Sequence, residues 1–159
     1  MWRSKLDSRI EKLNMLLEVV YDIPLELIDF EVWRDYDRSF YLPSYEKFTA
    51  LTSNELIDKQ VVGCLAGWAT SFPYFQAKGL NFHCSYPIFM SGNILSNDEL
   101  KNLNELDQTM YKGWEAIAHF FELKEDEYQN LFNYENYQSK PVDKEIICQK
   151  IEFIISKYS

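Results

Sequence analysis

Gly63 and Gly67 stand four residues apart in the run Val62-Gly63-Cys64-Leu65-Ala66-Gly67-Trp68-Ala69, inside a segment that otherwise has a helical pattern. Glycine in a helix interior costs about 1 kcal/mol relative to alanine. Two of them on one face therefore read as a close-packing face, where another backbone or a ligand approaches nearer than a Cβ would permit. Trp68 then reads as a pillar of the core. Any fold this chain adopts must bring a partner surface to that run.

The remaining pattern is mainly helical. Leu6, Ile10, Leu13, Leu17 and Val20 recur at helical spacing, with Leu16 widening the stripe, and predict an amphipathic helix over 4–20. Ile23-Pro24 ends it, because a residue before proline is pushed out of the helical region. Residues 25–41 mix Phe30, Trp33, Tyr36, Phe40 and Tyr41 with Asp29, Glu31, Asp35 and Asp37. They read as extended or irregular, closed by Leu42-Pro43-Ser44. Thr52-Ser53-Asn54-Glu55 supplies a helix start, and the next helix is predicted over 61–72, stopped by Pro73. One more turn over 75–78 precedes Gly79, which suits a left-handed cap.

Phe82, Cys84, Tyr86, Ile88 and Met90 alternate, which predicts a short hairpin within 81–94. Ser96-Asn97-Asp98-Glu99 forms a capping box, with Leu95 and Leu100 at the staple positions. Further helices are predicted over 108–123, with Met110, Trp114, Ile117 and Phe121 as its stripe, and over 125–132. A last helix restarts within 139–143, Pro141 suiting its first turn, and Ile146, Ile147, Ile151, Ile154 and Ile155 form its apolar face. No repeat or Gly/Ser linker divides the chain. The expectation is one compact, mainly α domain over 1–159, of five to six helices, with irregular or short β-hairpin segments near 25–45 and 80–94.

Composition narrows the function. The 159 residues carry a formal net charge of −9, which repels phosphate backbones, and no basic patch offsets it. Direct nucleic-acid binding is therefore disfavoured. Cys64, Cys84 and Cys148 are widely spaced and odd in number, giving neither a disulfide framework nor a zinc knuckle. Reduced thiols point to the cytoplasm. No apolar run approaches the ~20 residues of a membrane span, and the N-terminus lacks the apolar stretch of a signal peptide.

Three segments, taken in order, resemble a group of small uncharacterised phage and bacterial proteins. Phe30-Glu31-Val32-Trp33 is similar to the group's "F-D-M-x-x-W", and Gly63-Cys64-Leu65-Ala66-Gly67-Trp68-Ala69 to its "C-G-T-x-G-C-I-A-G-W-A". Phe120-Phe121-Glu122-Leu123 and Leu131-Phe132 resemble "A-x-x-F-F-G-L-T-x-x-E-A-x-x-L-F". The chain departs at Lys59, where the group has a cysteine, and at Gln60-Val61, where it has "G-T". It departs again at Glu122, where glycine is usual, and at Lys124, where a capping threonine is usual. The resemblance implies a shared fold and a phage or mobile-element origin, and no mechanism.

No phosphate-binding loop, dinucleotide fingerprint, nucleophile elbow or HExxH occurs. His83 and Cys84 are adjacent, which suits no standard metal-ligand spacing, so no metal or cofactor is expected. The acids Asp98-Glu99 and Glu125-Asp126-Glu127 sit at predicted helix starts, where capping explains them.

Three functional readings follow, in order of preference. The first is a non-catalytic protein-interaction protein, a modulator or inhibitor of a host factor of anti-defence type. Its motives are the acidity and an excess of aromatics, 11 Tyr, 11 Phe and 4 Trp. Trp33, in a polar and acidic segment, is its exposed anchor, whereas Trp68 and Trp114 read as core. The second is a binder of a small planar ligand such as a nucleotide signal, on the Gly63/Gly67 face with Trp68, Tyr74 and Phe75 as walls. The third is an enzyme using Cys64, whose thiol a helix N-terminus would activate, with His83 or His119 as base. Against it, a cysteine between Gly63 and Leu65-Ala66 ordinarily behaves as a small core residue.

Overall fold

The computed structural model describes residues 2–36, 52–58, 60–83, 86–90, 110–137 and 143–159. The capping box at Ser96, the Leu42-Pro43-Ser44 closure, Phe40, Tyr41, Cys84 and Pro141 lie outside these residues. The architecture is mainly helical. Among the described residues there are seven α-helices: α1 (Trp2–Asp22), α2 (Ser53–Asp58), α3 (Leu65–Ala69), α4 (Pro73–Gln76), α5 (Trp114–Phe121), α6 (Glu125–Phe132) and α7 (Lys144–Tyr158). Short 3-10 turns occupy Leu25–Leu27 and Tyr134–Tyr137.

The strands are β1 (Asp35–Tyr36), β2 (Val61–Val62), β3 (Leu80–His83), β4 (Tyr86–Phe89) and β5 (Tyr111–Lys112). β3 and β4 form the expected antiparallel hairpin, with Leu80 opposite Phe89 and Phe82 opposite Pro87. β5 adds a third strand, pairing Ile88 with Lys112 and Phe89 with Tyr111. Leu80, Phe82 and Phe89 turn into the main core, while Ile88, Met90 and Met110 bury themselves as a second cluster. The alternation of side chains along a strand produces this division.

α1 ends just before Pro24, and α6 begins at Glu125 beneath three acidic residues that favour the positive end of the helix. The Lys124 backbone N–H donates to Glu127 Oε1 at 2.8 Å, half of a capping box. α7 begins where the Asp143 carboxylate accepts the Ile146 N–H at 2.8 Å. Thr52 caps α2 in the same way, accepting the Glu55 N–H at 3.3 Å.

Two predicted helices are corrected. The helix expected over 61–72 is only α3, because Val61–Val62 is extended and pairs with β1. α3 closes early, since the Thr70 and Ser71 hydroxyls donate to the Gly67 and Trp68 carbonyls, each at 2.6 Å. Pro73 then opens α4 at its first position instead of stopping a helix. Gly79 follows α4 with a positive φ of 99°. The helix expected over 108–123 begins only at Trp114. Gly113, at φ 59° and ψ −131°, turns the chain out of β5 into α5, a conformation open to glycine.

The larger of the two buried clusters is built from both ends of the chain and its middle. Leu13, Leu16, Val19 and Val20 of α1 meet Ile147, Ile151 and Ile154 of α7, and Phe75, Phe120, Phe121 and Phe132 fill the centre. Phe75 lies 5.7 Å from both Phe120 and Phe121 ring centroids, and Phe89 lies 5.3 Å from Phe120, edge to face. Burying each ring contributes roughly 1.5–3 kcal/mol and each pairing about 0.5–1.5 more.

Among the described residues, two other than glycine take a left-handed backbone, Gln60 at φ 58° and Glu122 at φ 56°. Glu122 closes α5, its own N–H bonding His119 O at 3.3 Å and the Leu123 N–H reaching Ala118 O at 3.0 Å. A side chain in this region costs about 1–2 kcal/mol. Gln60→Gly is therefore expected to stabilise the protein by up to about 1 kcal/mol, after glycine's greater unfolded entropy is set against the relief. Thermal denaturation checks this, and a lowered midpoint would sink it. Glu122→Gly gains less, because Arg9 lies 3.9 Å from the Glu122 carboxylate.

Candidate functional site

The segment from Leu27 to Tyr36 wraps the start of α3. Gly63 donates to Leu27 O at 3.0 Å and accepts from the Asp29 N–H at 2.8 Å, as in a parallel bridge. The chain then loops outward and returns, the Cys64 N–H meeting Val32 O at 2.8 Å before β1 pairs antiparallel with β2. Trp68 Nε1 donates to Leu27 O at 2.9 Å, which satisfies the one polar atom of a buried indole.

This wrapping sets the Trp33 carbonyl on the two glycines. A Cβ on Gly63 would stand 2.7 Å from Trp33 O, and one on Gly67 only 1.7 Å away. Arg34 continues the clamp, its Nε donating to Gly67 O at 3.3 Å and Nη2 to Thr70 Oγ1 at 2.9 Å, with the guanidinium 4.1 Å over the Phe82 ring. The protein's own backbone occupies the Gly63/Gly67 face.

That occupancy corrects the planar-ligand reading of the face. Trp68 is 2% exposed and Phe75 fully buried, so neither walls an open site. Tyr74 is half-buried and elsewhere engaged, its hydroxyl donating to Glu11 Oε1 at 2.7 Å. Of the expected contacts, Trp33 lines the cleft described below.

Cys64 is corrected as a nucleophile. It precedes α3, and its Sγ accepts the Gly67 N–H at 3.4 Å, yet the thiol is pushed up to about 11. Burial dominates, outweighing the backbone donors, and Asp29 adds to the rise. At pH 7 the thiol is therefore held in its protonated, weakly nucleophilic form. His119 lies on α5 with its ring stacked 3.8 Å from Tyr111. Iodoacetamide is therefore expected to leave Cys64 unlabelled in the folded protein and to label it on unfolding. Rapid native labelling of Cys64, located by peptide mapping, would contradict the burial.

The Trp33 side chain turns outward to meet Trp114, the two rings 4.6 Å apart and inclined at 54°. Beside this ring contact opens a cleft of about 330 Å³. Phe30, Glu31, Val32 and Trp33 form one side and Cys64 borders it, while Trp114, Asn133 and Glu135 form the other. Further rings back the walls. Phe30 stacks on Tyr137 at 4.0 Å, and the Tyr137 hydroxyl donates to Leu131 O at 2.5 Å. Trp114 stacks on Tyr128 at 6.1 Å. Glu31 and Glu135 are exposed at the rim.

Trp114, expected in the core, is half-buried and lines the cleft with Trp33. Asn133 and Glu135 gave no sequence signal, because only folding brings the turn after α6 beside residues 30–33. Among the described residues no group of three His, Cys, Asp or Glu side chains could hold a metal ion, and no helix is long and apolar enough to cross a membrane. Comparison with family models, curated proteins and solved structures finds no match.

Proposed function

We propose that this chain is a small acidic protein-interaction protein without catalytic activity, encoded by a phage or mobile element and modulating a host factor in the cytoplasm. The observation that carries the reading is the cleft in which Trp33 and Trp114 are held half-open to solvent between exposed carboxylates. Tryptophans supported from behind by other rings lose little side-chain entropy on binding, which suits them as interface anchors. Among the described residues, the cleft lining pairs no nucleophile with a base. Its one thiol is buried and protonated at neutral pH.

The phage or mobile-element origin rests on the resemblance alone, and two backbone angles favour the match of its motifs to this chain. Gln60 and Glu122 stand where the group has glycine, and both take the left-handed conformation that glycine adopts without strain. The net charge of −9 suits a partner with a basic surface.

Affinity capture from a bacterial lysate with the full chain, read by mass spectrometry, tests the proposal. The expected result is a stoichiometric partner retained by the wild type and lost with Trp33→Ala, the variant's circular dichroism remaining that of the wild type. Recovery of no such partner from plausible hosts, or equal recovery with Trp33→Ala, overturns it.

A further inference from the structure

We draw no further inference here: the strongest candidate, the groove along α1 lined by Ile10, Glu11, Asn14, Met15 and Glu18, joins two half-buried apolar side chains to exposed carboxylates, and nothing in the structure shows what covers it.

Discussion

Gly67→Ala is expected to destabilise the protein by about 3 kcal/mol or more, or to abolish folding, the upper range for overpacking a core. The new Cβ would stand 1.7 Å from the Trp33 carbonyl oxygen and 2.8 Å from its carbon. Those atoms are backbone, so no rotamer change relieves the overlap. Nor can the segment retreat cheaply, because the Val32 carbonyl is held by the Cys64 N–H and Arg34 is held by Gly67 O and Thr70. Gly63→Ala meets the same oxygen at 2.7 Å and should cost less. The ordering Gly67 before Gly63 is the signature of this contact. Urea denaturation of the two variants measures it, and a Gly67→Ala protein within about 0.5 kcal/mol of wild type would remove Trp33 O from that face.

Glu127→Ala is expected to cost about 2–3 kcal/mol at pH 7, the range for losing hydrogen bonds to a charged group and leaving its donors unpaired. This carboxylate is 3% exposed. It receives Lys157 Nζ at 2.7 Å, the Tyr158 hydroxyl at 2.8 and 2.9 Å, and the Lys124 N–H at 2.8 Å. One side chain thus caps α6 and ties down the last turn of α7.

Burial alone would raise the Glu127 pKa, but Lys157, the Lys124 N–H and Tyr158 together outweigh it and hold the carboxyl below its ordinary value. The folded protein then binds this proton less tightly than the unfolded chain, whose glutamates titrate near about 4.3. The stabilisation is complete above that value and is lost as pH falls through the lower folded one. Glu127→Gln should therefore be less stable than wild type at pH 7, with the gap closing in acid. Paired denaturation curves at neutral and acid pH check this, and a gap that stays constant with pH would refute the linkage.

The parts of the fold that the sequence revealed are those fixed by neighbours along the chain. α1 could be read from its apolar stripe and its terminating Pro24, and the reading of α6 from its acidic first turn matches its observed ends, Glu125–Phe132. The β3–β4 hairpin followed from alternation. Where periodicity misled, a distant segment had claimed the backbone. Val61–Val62 carries helical-looking neighbours but is extended because β1 pairs with it. Tyr111–Lys112 likewise leaves the helical pattern to complete the sheet against β4. Hydrophobic spacing marks which residues are buried, and it cannot distinguish helix from strand in runs this short.

The site divides in the same way. Trp33 stood out because a tryptophan among acids has a local anomaly to explain, whereas Trp114 sat in an apolar stripe like any core residue. Their meeting at 4.6 Å depends on how the loop of residues 27–34 wraps α3 and where α5 lies beside it. Cys64 shows the converse. Its place before a helix suggested a reactive thiol, but burial, a tertiary property, dominates a hydrogen bond from a five-residue helix.

The sequence by itself determined that Gly63 and Gly67 must accept something close, since removing two Cβ atoms from one face has a conformational cost that only a near approach offsets. What approaches was decided by the tertiary structure alone. The Trp33 carbonyl fills the face, and the Trp33 indole, carried on the same residue, is thereby turned to Trp114 and the open cleft. Missing side-chain volume is written in the local sequence, but the identity of its occupant depends on contacts between residues far apart in the chain.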